Sequence, residues 1–396
     1  MTNGKERWGI RGWVIWAVLT ALFFVIVTVL LLALVIIGFD STATRASQVF
    51  DFARSAATLL GVPAVAGGAM VAYRRQKTLE EKRNAETESE LRAKKNDLHK
   101  RWQETSAQLG SDEPVIRTAG VFAIEALAEE WTPLDIERRN QCIDLLCGYL
   151  RSAKGLQWDD ENKVMTIEKP EEAVRNEVVN VIRRHLQNPE YSLSWSDHKF
   201  NFDDAYFADA NFRDAHFVNP ISFRNATFSG FTDFSEARFS GVATFSEARF
   251  AEFATFGEAR FTGSVTFSRA EFTEFATFSR AEFTEFTDFT TAEFTGSADF
   301  TTAKFNGLAW FFNAKFTGST WFCGAKFTGS TWFCDAKFTK DADFRWARFA
   351  SYSGWNTSCP ALPQNFESAA FDQDGEDHLF CLHMTGDEQA CSLQLK

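Results

Sequence analysis

The chain has 396 residues, is 45% hydrophobic and 15% aromatic, and carries a formal net charge of −12. The length allows two or three domains. So high an aromatic share excludes a disordered low-complexity chain, and the acidic balance speaks against direct nucleic-acid binding.

Residues 1–12 carry Lys5, Arg7 and Arg11, and are expected to form a cytoplasmic N-terminus. Residues 13–39 follow without a single charge and are rich in Leu, Val and Ile. That is long enough to cross a bilayer with some tilt, and too long for a signal peptide. Residues 56–73 form a second apolar run, in which Ala64, Gly68 and Ala72 give the small-xxx-small spacing that lets helices approach closely. Between them, 40–55 reads as a short extracytoplasmic loop. Arg74, Arg75 and Lys77 close the second run, so positive charge flanks both runs on the same side. The positive-inside rule then predicts a transmembrane hairpin in the cell membrane, a multi-pass chain with both termini cytoplasmic.

Residues 74–110 read as a charged helical stalk. Leu91, Leu98, Trp102 and Leu109 fall at heptad-compatible spacing, which fits either a short coiled coil or a solvated single helix. Residues 111–190 read as a small helical module. Its first helix follows Pro114, with Val115, Ala119, Phe122 and Ala126 together with Ile116, Ala123 and Leu127 tracing its face. Thr132 and Asp135 bracket a helix start with Pro133 in the first turn, ahead of Ile136, Cys142, Ile143, Leu146 and Leu150. A short strand is expected over 163–167. Pro170 then opens a helix with Val174, Val178, Val181, Ile182 and His185, placed to cover whatever follows.

Residues 200–349 carry the strongest signal. From Phe202 to Phe349 a phenylalanine returns every five or six residues, 28 times, with a small or β-branched residue two positions earlier in every case but Phe202, which Phe200 precedes. The core of this ladder includes Phe228, Phe234, Phe239, Phe245, Phe250, Phe256, Phe261, Phe267, Phe272 and Phe278. From Phe217 onward the steps alternate six and five, so the true repeat is eleven residues. That period fits neither an amphipathic helix nor one long strand, but a chain that turns a corner every few residues and winds into a solenoid. Extra residues enter every second unit at Phe253, Ser264, Phe275, Phe286, Ser297, Leu308, Ser319 and Ser330, giving coils of about 22 residues with bulges on opposite sides.

The units Ala205-Tyr206-Phe207-Ala208-Asp209 and Ala210-Asn211-Phe212-Arg213-Asp214 resemble the pentapeptide-repeat family. The resemblance implies a mainly β fold, a right-handed four-sided β-helix of about seven coils. The order of segments, with Arg74-Arg75-Gln76 and the stretch Leu146 to Arg151, is similar to membrane-anchored pentapeptide-repeat proteins of actinobacterial type. Some family members mimic DNA and bind gyrase. Residues 201–349 hold 10 Asp and 9 Glu against 5 Lys and 9 Arg, a net −5, too balanced for a phosphate-like field.

No phosphate loop, dinucleotide fingerprint or catalytic triad stands out, so no enzyme, cofactor or metal is expected. Cys142 and Cys147 read as core. Cys323 and Cys334 lie eleven residues apart and so on opposite sides of the coil. Cys359, Cys381 and Cys391, with His378 and His383, match no defensible zinc spacing. Residues 350–396 hold enough apolar side chains to cap the last coil. Trp310, Trp321, Trp332 and Trp346 form the candidate interaction patch, since exposed Trp is enriched at binding sites and can equally form a packing ladder. The function expected is a non-enzymatic membrane-anchored scaffold presenting a rigid β-helix to an unidentified protein partner, with self-association through the stalk or the C-terminal end. The alternatives are a membrane-hairpin sensor or effector in stress or phage defence, and a gyrase-binding mimic.

Overall fold

The computed structural model describes residues 18, 20–29, 31–32, 42–160, 164–188, 191–349, 353–354 and 370–371. Residues 1–12, parts of 13–39, most of 350–396 and the tail cysteines and histidines lie outside these. The chain divides into two compact units, Met1–Asn96 and Asp97–Lys396.

Helix α1 runs from Thr42 to Leu109, 68 residues. The expected loop before the second apolar run is therefore helical from Thr42 and continues without a break through Pro63 to Arg74. Among the described residues, no helix is long and apolar enough to cross a membrane. This overturns the transmembrane hairpin and the multi-pass membrane placement built on it. The described part of the expected loop, from Thr42 onward, is helix and carries Asp51 and Arg54. Beyond Arg74 the helix is solvated and braced by exposed i,i+4 pairs such as Lys77–Glu81 at 4.0 Å.

In the second unit, Leu98 and Leu109 at the end of α1 are buried and Trp102 packs against the same core. These residues therefore face the helical module rather than a coiled-coil seam. Helix α2 is Pro114–Trp131, α3 is Ile136–Arg151 and α4 is Lys169–Leu186. The buried face of α2 is Gly120, Val121, Ile124, Leu127, Ala128 and Trp131, while Val115, Ile116 and Phe122 are exposed. The expected face was thus rotated. A Cβ at Gly120 would meet the Leu109 backbone nitrogen at 2.9 Å, so α1 and α2 cross in close contact there. Asp135, not Thr132, is the cap of α3, its carboxylate accepting from the Arg138 amide at 3.3 Å. Between α3 and α4, strands β1 (Leu156–Asp159) and β2 (Val164–Ile167) pair antiparallel.

The repeats fold into a four-sided parallel β-solenoid of about seven coils. Each side contributes a two-residue strand, and each strand pairs with the one 22 residues on, except that Tyr206–Phe207 pairs with Thr227–Phe228, 21 residues on. Face I begins at Tyr206–Phe207, face II at Ala210–Asn211, face III at His216–Phe217 and face IV at Ile221–Ser222. Faces III and IV gain further rungs from Ala370–Phe371 and Ser353–Gly354. Inside, phenylalanines one coil apart stack face to face, as Phe250 and Phe272 do at 4.6 Å and 1°. Rings on opposite sides of a coil meet edge to face, as Phe245 and Phe256 do at 5.6 Å and 88°. The alanines two positions earlier are as deeply buried as the rings. Each buried Phe contributes ~1.5–3 kcal/mol relative to exposure.

Every second corner is a tight turn. Ala237 N donates to Phe234 O at 3.1 Å while Glu236 sits at φ 60°. That is a type II turn, whose third residue needs positive φ. The same geometry recurs every eleven residues from Asp214 to Trp346, and only Gly324 meets it with glycine. Thr291 and Thr302, β-branched, hold it at 55° and 56°.

The first coil is closed by α4. Arg175, fully buried, donates to Leu150 O (2.8 Å), Ser152 O (2.8 Å), Lys154 O (2.9 Å) and Tyr206 O (3.1 Å). It thus ties α3 and α4 to the first strand of face I, and its burial lowers its pKa. Glu171, also buried, accepts from Arg117 and the Tyr149 hydroxyl, both at 2.7 Å. The expected capping role of this helix is borne out in position, but its anchor is a buried charge cluster that the apolar pattern did not show.

Two outcomes follow. Thr291→Gly relieves the left-handed strain and raises unfolding stability by ~1 kcal/mol, measured in denaturant. Glu171→Ala leaves Arg117 and Arg175 buried together and costs about 3–5 kcal/mol, read by the same unfolding curves.

Candidate functional site

With the interior filled by Phe and Ala, chemistry is confined to the outward residues, which the 22-residue register arranges in columns. On face III the column is His216, Arg238, Arg260, Glu282, Lys304, Lys326 and Arg348. On face I it ends Arg249, Glu271, Glu293, Lys315 and Lys337. Opposite charges on adjacent rungs pair: Arg249 with Glu271 at 2.9 Å, Lys304 with Glu282 at 2.5 Å, Lys315 with Glu293 at 2.5 Å. At the tight corners Glu258 pairs with Arg280 at 2.8 Å. These exposed pairs each contribute only a few tenths of a kcal/mol.

Charge is nonetheless segregated along the axis. Residues 201–300 carry 16 acidic and 7 basic side chains, net −9, whereas 301–349 carry 3 acidic and 7 basic, net +4. The interspersed charges expected from the sequence are interspersed around each coil but not from coil to coil.

On faces II and IV the outward residue usually has a structural task. Its side-chain oxygen accepts from the amide two residues on and braces the next tight turn. Asp233 does so for Ser235 (2.8 Å), Thr266 for Ser268 (3.2 Å), Asp288 for Thr290 (2.8 Å), Asp299 for Thr301 (2.8 Å) and Asp343 for Arg345 (2.9 Å). Trp310, Trp321 and Trp332 occupy this same position, and an indole has no acceptor to offer. These three positions therefore forgo a bond the fold is built to make, worth ~0.5–1.5 kcal/mol each.

The structure does not gather the four tryptophans into one patch. Trp310 and Trp332 are adjacent rungs of face IV. They join Phe286 (4.7 Å from Trp310) and Phe312 (5.3 Å from Trp310, 6.5 Å from Trp332) in an aromatic strip. Trp321 lies on the opposite face II, edge-on to Phe275 at 6.3 Å, at the end of the corner stripe Phe231–Phe253–Phe275, whose first pair is stacked and second tilted. Trp346 occupies a tight corner, 67% exposed, with the Arg345 guanidinium 5.7 Å over its ring. Phe312 was missed by sequence reasoning, although it follows a ladder Phe directly and so must point outward.

Elsewhere the titratable groups serve packing. His185 stacks on Trp195 at 4.1 Å and sits 3.1 Å from Glu125 and 3.5 Å from Glu129, their ligand atoms within 4.8 Å of one another. Arg184 already binds both oxygens of Glu125 at 3.0 Å, so the group locks α2 to α4 as an ion-pair network. Burial would raise the Glu125 pKa, but hydrogen bonds from His185 and Arg184 outweigh it and hold the carboxyl low. Cys142 and Cys147 are buried, and burial pushes the Cys142 thiol up to about 12. Cys323 and Cys334 fall on faces II and IV, on opposite sides as expected.

Residues 202–249 and 223–271 match a family model described as Pentapeptide repeats (9 copies). Together with the four-sided solenoid, the match supports the pentapeptide-repeat family for this region, and nothing in it extends to the membrane-anchored type. No curated protein and no solved structure matches the chain.

His216 supplies a pH test. Burial, and after it the Arg238 guanidinium one rung above, lower its pKa below the ordinary 6.5. Because the folded value is the lower one, its contribution to stability is present above the ordinary value and is lost as pH falls toward the folded value. Arg238→Gln should move the His216 titration upward, followed through its ring protons by NMR.

Proposed function

We propose that this protein, with its pentapeptide-repeat solenoid, is a non-enzymatic scaffold that holds a partner protein on the outward aromatic strips of its C-terminal coils. A rod of stacked rings has no lid and no closing cleft, which suits display rather than turnover. The observation that carries the reading is the three tryptophans standing where the fold favours Asp or Thr. A purely structural ladder would keep the side chain that braces the turn. Trp321 is exposed and Trp310 and Trp332 are half-buried, and outward indoles of this kind are enriched at protein-binding surfaces.

This yields a separation of stability from binding. Trp310→Thr, Trp321→Thr and Trp332→Thr together should leave the melting temperature unchanged or raised, because threonine restores the turn-bracing acceptor. The same variant should lose the neighbours that the full chain acquires in in-cell proximity labelling. A large drop in melting temperature with unchanged neighbours would make the tryptophans a packing ladder and end the proposal.

A further inference from the structure

The β1–β2 hairpin stands beside the first coils of face I. The Tyr206 hydroxyl holds it there by donating to Met165 O at 3.3 Å, and Glu168 N closes its base on Gly155 O at 3.1 Å. Trp158 and Met165 are directly opposed across the two strands and so share one face of the hairpin. Both are exposed, at 56% and 39%, and among the described residues Trp158 stacks on no other ring.

A cleft of about 660 Å³ is lined by this pair on one side and by the solenoid on the other, a size that suits a small ligand. Its floor is a grid of outward side chains. Face I supplies the rungs Thr227, Arg249 and Glu271, and the tight corner beside it supplies Asn225, Glu247 and Arg269. Arg249 pairs with Glu271 at 2.9 Å along one column, and Arg269 with Glu247 at 3.2 Å along the other. The two columns run in opposite order, so the four charges alternate around a square. The floor is therefore dense in donors and acceptors yet carries no net charge.

Such a floor selects by charge. An anion attracted by the arginines meets Glu247 and Glu271, and a cation attracted by the carboxylates meets Arg249 and Arg269, so neither gains on balance. An uncharged ligand with adjacent hydroxyls does gain. One hydroxyl donates to a carboxylate while its neighbour accepts from the guanidinium paired with it, and hydrogen bonds to charged groups are the stronger kind. The opposite wall asks for an apolar surface, because the face of an indole is electron-rich and attracts the positive ends of C–H bonds. A pyranose ring meets both demands, with hydroxyls at its rim and C–H groups on its face.

We infer that the cleft between the β1–β2 hairpin and face I is a binding site for an uncharged carbohydrate. One sugar ring stacks on Trp158, and its hydroxyls bridge the square of Glu247, Arg249, Arg269 and Glu271. The site stands on the first coils and is independent of the C-terminal tryptophans and of the scaffold reading built on them.

The test is a titration of the full chain carrying carbon-13 in its methionine methyl groups. Met165 is one of only four methionines, so its resonance, assigned with Met165→Leu, reports the wall of the cleft. The probes are cellohexaose, maltohexaose, mannohexaose and chitohexaose, with a heparin hexasaccharide, hexalysine and hexaproline as anionic, cationic and apolar controls. The expected result is a saturable shift of the Met165 methyl with at least one uncharged sugar and with none of the controls. Trp158→Ala should weaken that binding about tenfold, the loss of one stacking platform. Glu247→Gln/Glu271→Gln, confined to the solenoid surface and checked by circular dichroism, should weaken it severalfold without touching the hairpin. No saturable shift with any of the four sugars would overturn the inference. A shift with a control alone would overturn it and assign the cleft to that class of ligand, and sugar binding that survives both variants would overturn it equally.

Discussion

Everything in the solenoid depends on one coincidence of lengths. Backbone hydrogen bonds between parallel strands set the rung spacing, and two phenylalanine rings stacked face to face need nearly the same distance. Ring separations of 4.6–5.2 Å down the ladder show that both requirements are met at once. A buried small residue precedes each Phe by two positions, and the four rings of a coil meet edge to face, as Phe250 and Phe256 do, or tilted, as Phe245 and Phe250 do. With the interior satisfied this way, the outward positions are released from folding, and what stands there answers to other demands.

The interior was legible because its period has no competing explanation. A Phe returning every five and six residues, with a small residue two positions earlier, cannot be a helix or an ordinary strand, and counting alone predicts a 22-residue coil, opposite bulges and the pairing of Arg260, Glu282 and Lys304. The helices were less legible. Helix α2 carries apolar residues around most of its circumference, so Val115 and Phe122 competed with Val121 and Ile124 for the core, and only the packing of Gly120 against α1 decides. Arg117, Arg175 and Glu171 were missed because residue type points charged side chains outward. Their burial depends on carbonyls from α3 and the first coil that meet only in the folded molecule. The membrane reading failed because an apolar run does not display whether the helix breaks beside it.

The candidate surface was half legible. The sequence identifies which tryptophans face outward. The spacing that separates Cys323 from Cys334 also sets Trp321 opposite Trp310 and Trp332, but it does not show that the residues at equivalent positions are turn-bracing acceptors. That second fact comes from hydrogen bonds such as Asp288 to Thr290 and Asp299 to Thr301, and it changes the meaning of an exposed indole from a curiosity of composition to a substitution made against local preference. The reversal of charge near residue 300 gains its meaning in the same way, because stacking turns scattered lysines into a column.

The eleven-residue repeat occupies half a coil. Advancing by one repeat is therefore a half-turn about the solenoid axis with a rise of about 2.4 Å, half a strand spacing. The rod is close to its own image under a twofold screw operation, and residues such as Lys304 and Lys315, or Trp321 and Trp332, are related by it. The backbone thus offers the same frame on both sides of each coil, and only the outward side chains, Asp299, Trp321 and Asp343 on one side and Asp288, Trp310 and Trp332 on the other, tell the two sides apart.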